Sequence, residues 1–249
     1  MTERVAIVAG GASGLGEAVA YGLAERGDHV LVADIDGEGA RRVAKAIGER
    51  AQAHEVDIRV DADVERLVEA AGAAGGLHSL VLSAAVETRA SVVDCTDDDW
   101  QRVIDTNLKG PFLCMRRAIP LMVRSGGGGV VALGSVLGSI VAPQYAAYCA
   151  SKTALVNLCK QAAIEHAPDG VRVNVVSPSA CEAGLFMQVT AMAPDPNAVR
   201  RMVAGNTPMK RLGTAADVVN AVVFLTSEQS SYISGAVIPL DGGMAARRS

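Results

Sequence analysis

The chain has 249 residues, half of them hydrophobic, with a formal net charge of −4. That length can bury a substantial core, and no Pro, Ser or charge-rich linker divides it, so one domain spanning 1–249 is expected. The mild acidity and the lack of any Lys or Arg block give nucleic acid or an anionic membrane surface nothing to attract, and neither is expected as a partner. In chain order, short apolar runs alternate with longer stretches of helical periodicity. Val5 to Ala9 precedes a helix over 14–27, His29 to Ala33 one over 37–50, and Leu77 to Ala84 one over roughly 97–124. Val130 to Gly134 then leads into a helix over about 144–167, and Val171 to Val176 into a variable segment. A helix near 214–227 and the run Ala236 to Leu240 complete the pattern. Runs apolar on consecutive residues predict strands buried on both faces, hence a doubly wound, Rossmann-like α/β fold of three layers around a parallel sheet.

The N-terminus lacks the pattern of a signal peptide and no segment is long enough to span a bilayer, so the cytoplasm is the expected location. Five cysteines without a CxxC pair suggest neither a disulfide framework nor a zinc knuckle, and four scattered histidines suggest no metal site. Asp97, Asp98 and Asp99, behind Thr96, read as a capped first helical turn and not as a cation cluster.

In doubly wound folds ligands gather at the carboxyl ends of the strands. The run from Ala9 through Gly10, Ser13, Gly14 and Leu15 to Gly16 lies between the first strand and the first helix. Side chains are absent where backbone must approach closely, and helix N–H groups point at an anion, which describes a pyrophosphate cradle. Asp34 closes the second strand 18 residues beyond Gly16. A carboxylate there can accept bonds from a ribose 2′-hydroxyl and repels a 2′-phosphate, which favours NAD over NADP; its competing role is to cap the helix starting near Asp36. Tyr148 and Lys152 stand one helical turn apart, thirteen and seventeen residues after Ser135. That spacing puts phenol and ammonium on one helix face, where the cation is expected to lower the phenol pKa from its usual value of about 10.

With these residues the chain resembles the short-chain dehydrogenase/reductase family over nearly its whole length. The likeness rests on the Gly-x3-Gly-x-Gly turn, Asp57 after the third strand, Asn107-Leu-Lys-Gly, the Ser135, Tyr148 and Lys152 spacing, and the ending from Gly235 to Asp241-Gly242-Gly243. It implies about seven strands and hydride transfer between a nicotinamide cofactor and a secondary alcohol or ketone. Tyr148 would be the acid/base, Ser135 a hydrogen-bond partner of the substrate oxygen, and Lys152 the holder of the nicotinamide ribose. Asn107, interrupting its helix, would bind a water of a proton relay. Taken singly, Ser135 reads better as a turn hydroxyl and Asn107 as a helix-interior polar residue, and Asp57 nearly as well as a cap for the helix near Asp61.

The resemblance also lays NAD along Gly10, Ser13, Gly14, Leu15, Gly16, Asp34, Ile35, Asp57, Ile58, Ser83, Ala84, Ala85 and Pro178, reaching Tyr148 and Lys152. It implies a homotetramer, or a homodimer, built on the helices near 97–124 and 144–167. The segment at about 183–210, rich in Met and other apolar residues, would form a lid over an apolar or ring-bearing substrate. Four positions depart from the family pattern: Ala9 in place of Thr, Leu82 and Ala85 in Leu-Ser-Ala-Ala where Asn-Asn-Ala-Gly is usual, and Ala183 where a Thr hydroxyl normally stands. These departures keep two alternatives open, a nucleotide-binding regulatory or scaffold protein and an epimerase or dehydratase on the same fold.

Overall fold

The computed structural model describes residues 4–246. Seven parallel strands form one sheet in the order β3-β2-β1-β4-β5-β6-β7. They are β1 Val5–Ala9, β2 His29–Asp34, β3 Ala51–Glu55, β4 Ser79–Leu82, β5 Gly128–Leu133, β6 Val171–Pro178 and β7 Val237–Leu240. Along β1 the side chains alternate between two cores. Val5, Ile7 and Ala9 face α3 Asp61–Ala73, α5 Gly110–Arg124 and α6 Ala146–His166. Ala6 and Val8 face α1 Gly14–Arg26, α2 Gly37–Ile47 and α9 Ala215–Leu225. Burial on both faces explains why the strand runs are apolar on consecutive residues.

β3 is absent from the apolar runs. Its sequence, Ala-Gln-Ala-His-Glu, sits at the sheet edge, pairs only with β2 and is partly exposed, so it needs no continuous apolar stretch. The helix expected over 37–50 stops at Ile47, because Gly48 turns the chain at φ 90° and leads it into β3. The long helix expected over 97–124 is α4 Asp97–Ile104, a π turn at Asp105–Lys109 and α5, with Asn107 inside the wide turn. Thr96 caps α4 by accepting the Asp99 N–H. The segment expected to form a lid folds into α7 Leu185–Ala191 and α8 Pro196–Asn206.

Strand order reverses between β1 and β4, which leaves a crevice above their carboxyl ends. A cleft of about 590 Å³ opens there, lined by the glycine turn, the segment after β4, the end of β5, the start of α6 and the lid.

Candidate active site

At the nucleotide end the glycines are required by contact. A Cβ on Gly10, whose φ is 87°, would lie 2.3 Å from the backbone nitrogen of Ala84, and one on Gly16 would lie 1.9 Å from the Gly10 carbonyl oxygen. The turn is therefore pressed against the segment after β4 with no room for a methyl. Ser13 precedes α1 without a side-chain cap, so the first N–H groups of that helix stay available to an anion in the cleft. Asp34 lines the cleft and accepts from the N–H groups of Ala12 and Asp36, each at 3.0 Å. It does not cap α2; Asp36 does, accepting the Gly39 N–H. The backbone cradle, the uncapped helix end and the carboxylate fit a dinucleotide bound with its pyrophosphate on α1.

Gly10, Ser13, Gly14, Leu15, Asp34, Ile35, Ser83, Ala84, Ala85 and Pro178 all line the cleft, as do Ser135, Tyr148 and Lys152. Four residues of the expected set do not. Gly16 lies beneath the turn for the contact reason just given. Asp57 is held in a fork by Arg59, with Nη2 at 2.7 Å, and the guanidinium keeps its carboxyl below the usual carboxylate range. It neither reaches the cleft lining nor caps α3, whose N-cap is Val60. Ile58 is buried in the core, where a Cβ on Gly110 would lie 2.5 Å from its Cδ1. Asn107 is fully buried: its Oδ1 accepts the Val86 N–H at 2.8 Å, and its Nδ2 donates to the Val86 carbonyl at 2.8 Å and to Ser151 Oγ at 3.1 Å. The Asn107 side chain thus clamps the chain after β4, and Ser151 ties that clamp to α6 by donating to the Tyr148 carbonyl.

Ser135, in extended backbone after β5, accepts the Leu137 N–H at 3.1 Å, and its side chain stands near enough to the Tyr148 phenol to favour the phenolate. Its turn role and its contact with Tyr148 coexist. Lys152 is 2 % exposed, donates from Nζ to the Leu133 carbonyl at 2.8 Å, and lies 5.7 Å from the centre of the Tyr148 ring. The expected acidification of the phenol is reversed. Burial pushes Tyr148 up to about 12, opposed by the nearby Ser135 side chain and reinforced by the negative charge of Glu87. Burial also pulls Lys152 down to about 8. Loss of water destabilises phenolate and ammonium alike, and with Nζ turned to a carbonyl the cation is not the dominant influence on the phenol.

Several groups at the site carried no motif. Arg42, from α2, reaches back to the Ala12 carbonyl at 2.9 Å, and Glu17 of α1 binds it in a fork. The cleft also contains Glu87, Arg89 and Tyr145. Glu87 and Arg89 follow a strand end closely, which is the one signal that could have singled them out.

A parallel doubly wound sheet with a glycine cradle at its switch point, and a Ser, Tyr and Lys cluster in the same cleft, defines a nucleotide-dependent redox enzyme. A family model described as enoyl-(acyl carrier protein) reductase matches residues 10–245. A cis-4-hydroxycyclohexanecarboxylate dehydrogenase of Sinomonas cyclohexanicum is 36 % identical over 98 % of this chain and 97 % of its own. Among solved structures, levodione reductase superposes with a TM-score of 0.95 at 28 % identity, covering 100 % of both chains. A 3-ketoacyl-(acyl-carrier-protein) reductase of Brucella melitensis complexed with NADH gives 0.90 at 32 % identity, covering 98 % of this chain and 100 % of that one. The chain belongs to the short-chain dehydrogenase/reductase family, and it is an oxidoreductase of the nicotinamide-dependent kind.

Proposed function

We propose that this enzyme uses NAD(H) to interconvert a cyclic secondary alcohol and its ketone. The observation that carries the reading is that Ser135 and Tyr148 line one cleft with the buried Lys152 and the glycine cradle. A substrate oxygen set against that pair would receive a hydrogen bond from Ser135 and exchange its proton with Tyr148, while Lys152 would hold ribose hydroxyls. When bound, the nicotinamide donates or accepts the hydride at the carbinol carbon. Asn107 acts as a positioning residue through Val86 and Ser151.

Asp34 supports the preference for NAD, since its carboxylate stands in the cleft and Arg42, which reaches the turn, is matched by Glu17. A ring-shaped substrate suits the apolar wall made by Leu137, Phe186, Val189 and Val203, and it accords with the cyclic compounds named for the hydroxycyclohexanecarboxylate dehydrogenase and levodione reductase. Exposed Trp100 and Phe112 on α4 and α5, with Ile164 on α6, support a homotetramer or homodimer. Among the described residues no helix is long and apolar enough to cross a membrane, and we place the enzyme in the cytoplasm.

The test is titration of the purified protein with NADH and with NADPH, then NAD-linked oxidation of cyclohexanols. The expected result is NADH bound at least about tenfold more tightly and ketone formed. Equal affinities would overturn the role of Asp34, and tight NADH binding without oxidation or reduction of any cyclic alcohol or ketone would overturn the reaction.

A further inference from the structure

The segment after β4 is fixed at three places. Asn107 grips both backbone groups of Val86 at 2.8 Å, Arg102 donates to the Glu87 carbonyl at 3.4 Å, and the Ala90 N–H donates to the Gln144 carbonyl at 2.9 Å. Gln144 holds the left-handed φ of 65° that brings it there, a strained conformation of the kind found where a site is held in place. This frame sets the Glu87 carboxyl in the wall of the cleft beside Tyr145 and Tyr148. Its Oε1 is buried and accepts no hydrogen bond. Arg89 Nε lies 3.9 Å away, beyond hydrogen-bond reach, and the Arg89 guanidinium sits over the Tyr145 ring at 5.4 Å.

An acceptor kept under-satisfied in a rigid cleft costs stability unless a ligand supplies the donor. Burial raises the Glu87 pKa, and its charge raises that of Tyr148, which places the carboxyl within electrostatic reach of the phenol that meets the substrate oxygen. We propose that Glu87 reads a second hydroxyl of the substrate, accepting its hydrogen bond while the first oxygen lies against Ser135 and Tyr148, so that the preferred substrates are cyclic diols and hydroxyketones. This rests on the reaction proposed above. A neutral donor suits the place: Arg89 disfavours an ammonium, and the Glu87 charge disfavours a carboxylate, so a cyclic hydroxy acid is the poorer substrate.

The test compares kcat/KM for cyclohexanol, the cyclohexanediols and 4-hydroxycyclohexanecarboxylate in the wild-type enzyme, in Glu87→Gln, which keeps the shape, and in Arg89→Gln. The expected result is a wild-type preference for one diol that falls on the order of tenfold or more in Glu87→Gln, chiefly through KM, and persists in Arg89→Gln. A preference unchanged in Glu87→Gln, or lost equally in Arg89→Gln, or a wild-type enzyme favouring cyclohexanol or the hydroxy acid, overturns it. Should no alcohol be turned over, calorimetry of the diols with NADH-loaded protein decides separately. Binding that weakens in Glu87→Gln upholds the reading of the hydroxyl while the reaction fails, and binding that is absent or indifferent to Glu87 overturns it.

Discussion

The two ends of the cleft are built on opposite principles. At the nucleotide end the surface is made of backbone, and the specifying feature is a missing side chain, as at Gly10 and Gly16, whose Cβ positions are already filled by neighbouring main chain. At the substrate end the surface is made of side chains, and Tyr148, Lys152 and Glu87 all have their charged forms disfavoured by burial. Substitution at the first end should cost fold and nucleotide affinity together. Substitution at the second should cost turnover while sparing or raising stability, because the chemistry there is held against an unfavourable environment.

The largest effect, on turnover alone, is expected from Tyr148→Phe. Removing the proposed acid/base should lower kcat by about 10²–10⁴-fold. The ring keeps its place in the core, so thermal stability and NADH affinity should hold. Steady-state kinetics beside a melting curve check this, and a variant with full turnover would remove Tyr148 from the chemistry.

Gly16→Ala sharpens the contrast from the other side. Its methyl would press on the Gly10 carbonyl oxygen, a backbone atom that cannot swing away, and overpacking of this kind costs about 3 kcal/mol or more. For a chain of this size that lowers the melting temperature by roughly 6–12 °C, and the distorted turn should weaken NADH binding as well. Calorimetry reads the first and titration the second. If stability fell while NADH affinity held, the turn would not be the nucleotide's support.

Lys152→Met tests the strained end directly. With its pKa near 8 in the fold and about 10.4 when unfolded, the unfolded chain binds more protons between these values, so wild-type stability should rise with pH from about 8 to 10. Above about 10 the raised pKa of Tyr148 acts in the opposite sense, since the native state then holds the extra proton. The Met variant lacks the first contribution. It should be more stable than wild type near pH 7 by about 1–3 kcal/mol, net of the lost bond to Leu133, with a flatter profile up to pH 10 and impaired turnover. Denaturant unfolding across that range decides, and a destabilised variant would mean that the ammonium is held by compensation from its surroundings.

The same division governs what could be read from the residues alone. The glycine cradle, Asp34 and the alternation of strands and helices are contiguous patterns, because each arises from neighbours along the chain. β3 leaves no apolar run, because an edge strand containing Gln52 and His54 needs none, and only the resemblance placed a third strand before Asp57. The sign of the Tyr148 shift was misjudged because one-turn spacing reports proximity to a cation and says nothing of how much water both groups lose. Asn107 was expected to interrupt its helix but was not legible as the clamp on Val86, since that contact joins residues 21 apart. Glu87 and Arg89 belong to no motif, and their meaning depends on Tyr145 and Gln144 arriving from a distant loop. For Asp57 the sequence could not show that Arg59, two residues on, holds its carboxylate in a fork.

The smallest effect tests whether the departures from the family pattern weaken the nucleotide end without disabling it. Ala183 lines the cleft just before Gly184, where the lid begins and a Cβ on Gly14 would lie 2.8 Å from the Gly184 Cα. A hydroxyl restored there by Ala183→Thr stands at the cleft surface, and one added hydrogen bond contributes about 0.5–1.5 kcal/mol, a roughly threefold to tenfold gain in affinity. NADH should bind more tightly by that factor, with the melting temperature of the free protein nearly unchanged because the side chain adds no packed contact. Titration of wild type and variant in one buffer measures it. An unchanged affinity would mean that the nicotinamide lies away from Ala183, and a lost one that the methyl now standing there is required by the approach of lid to glycine turn.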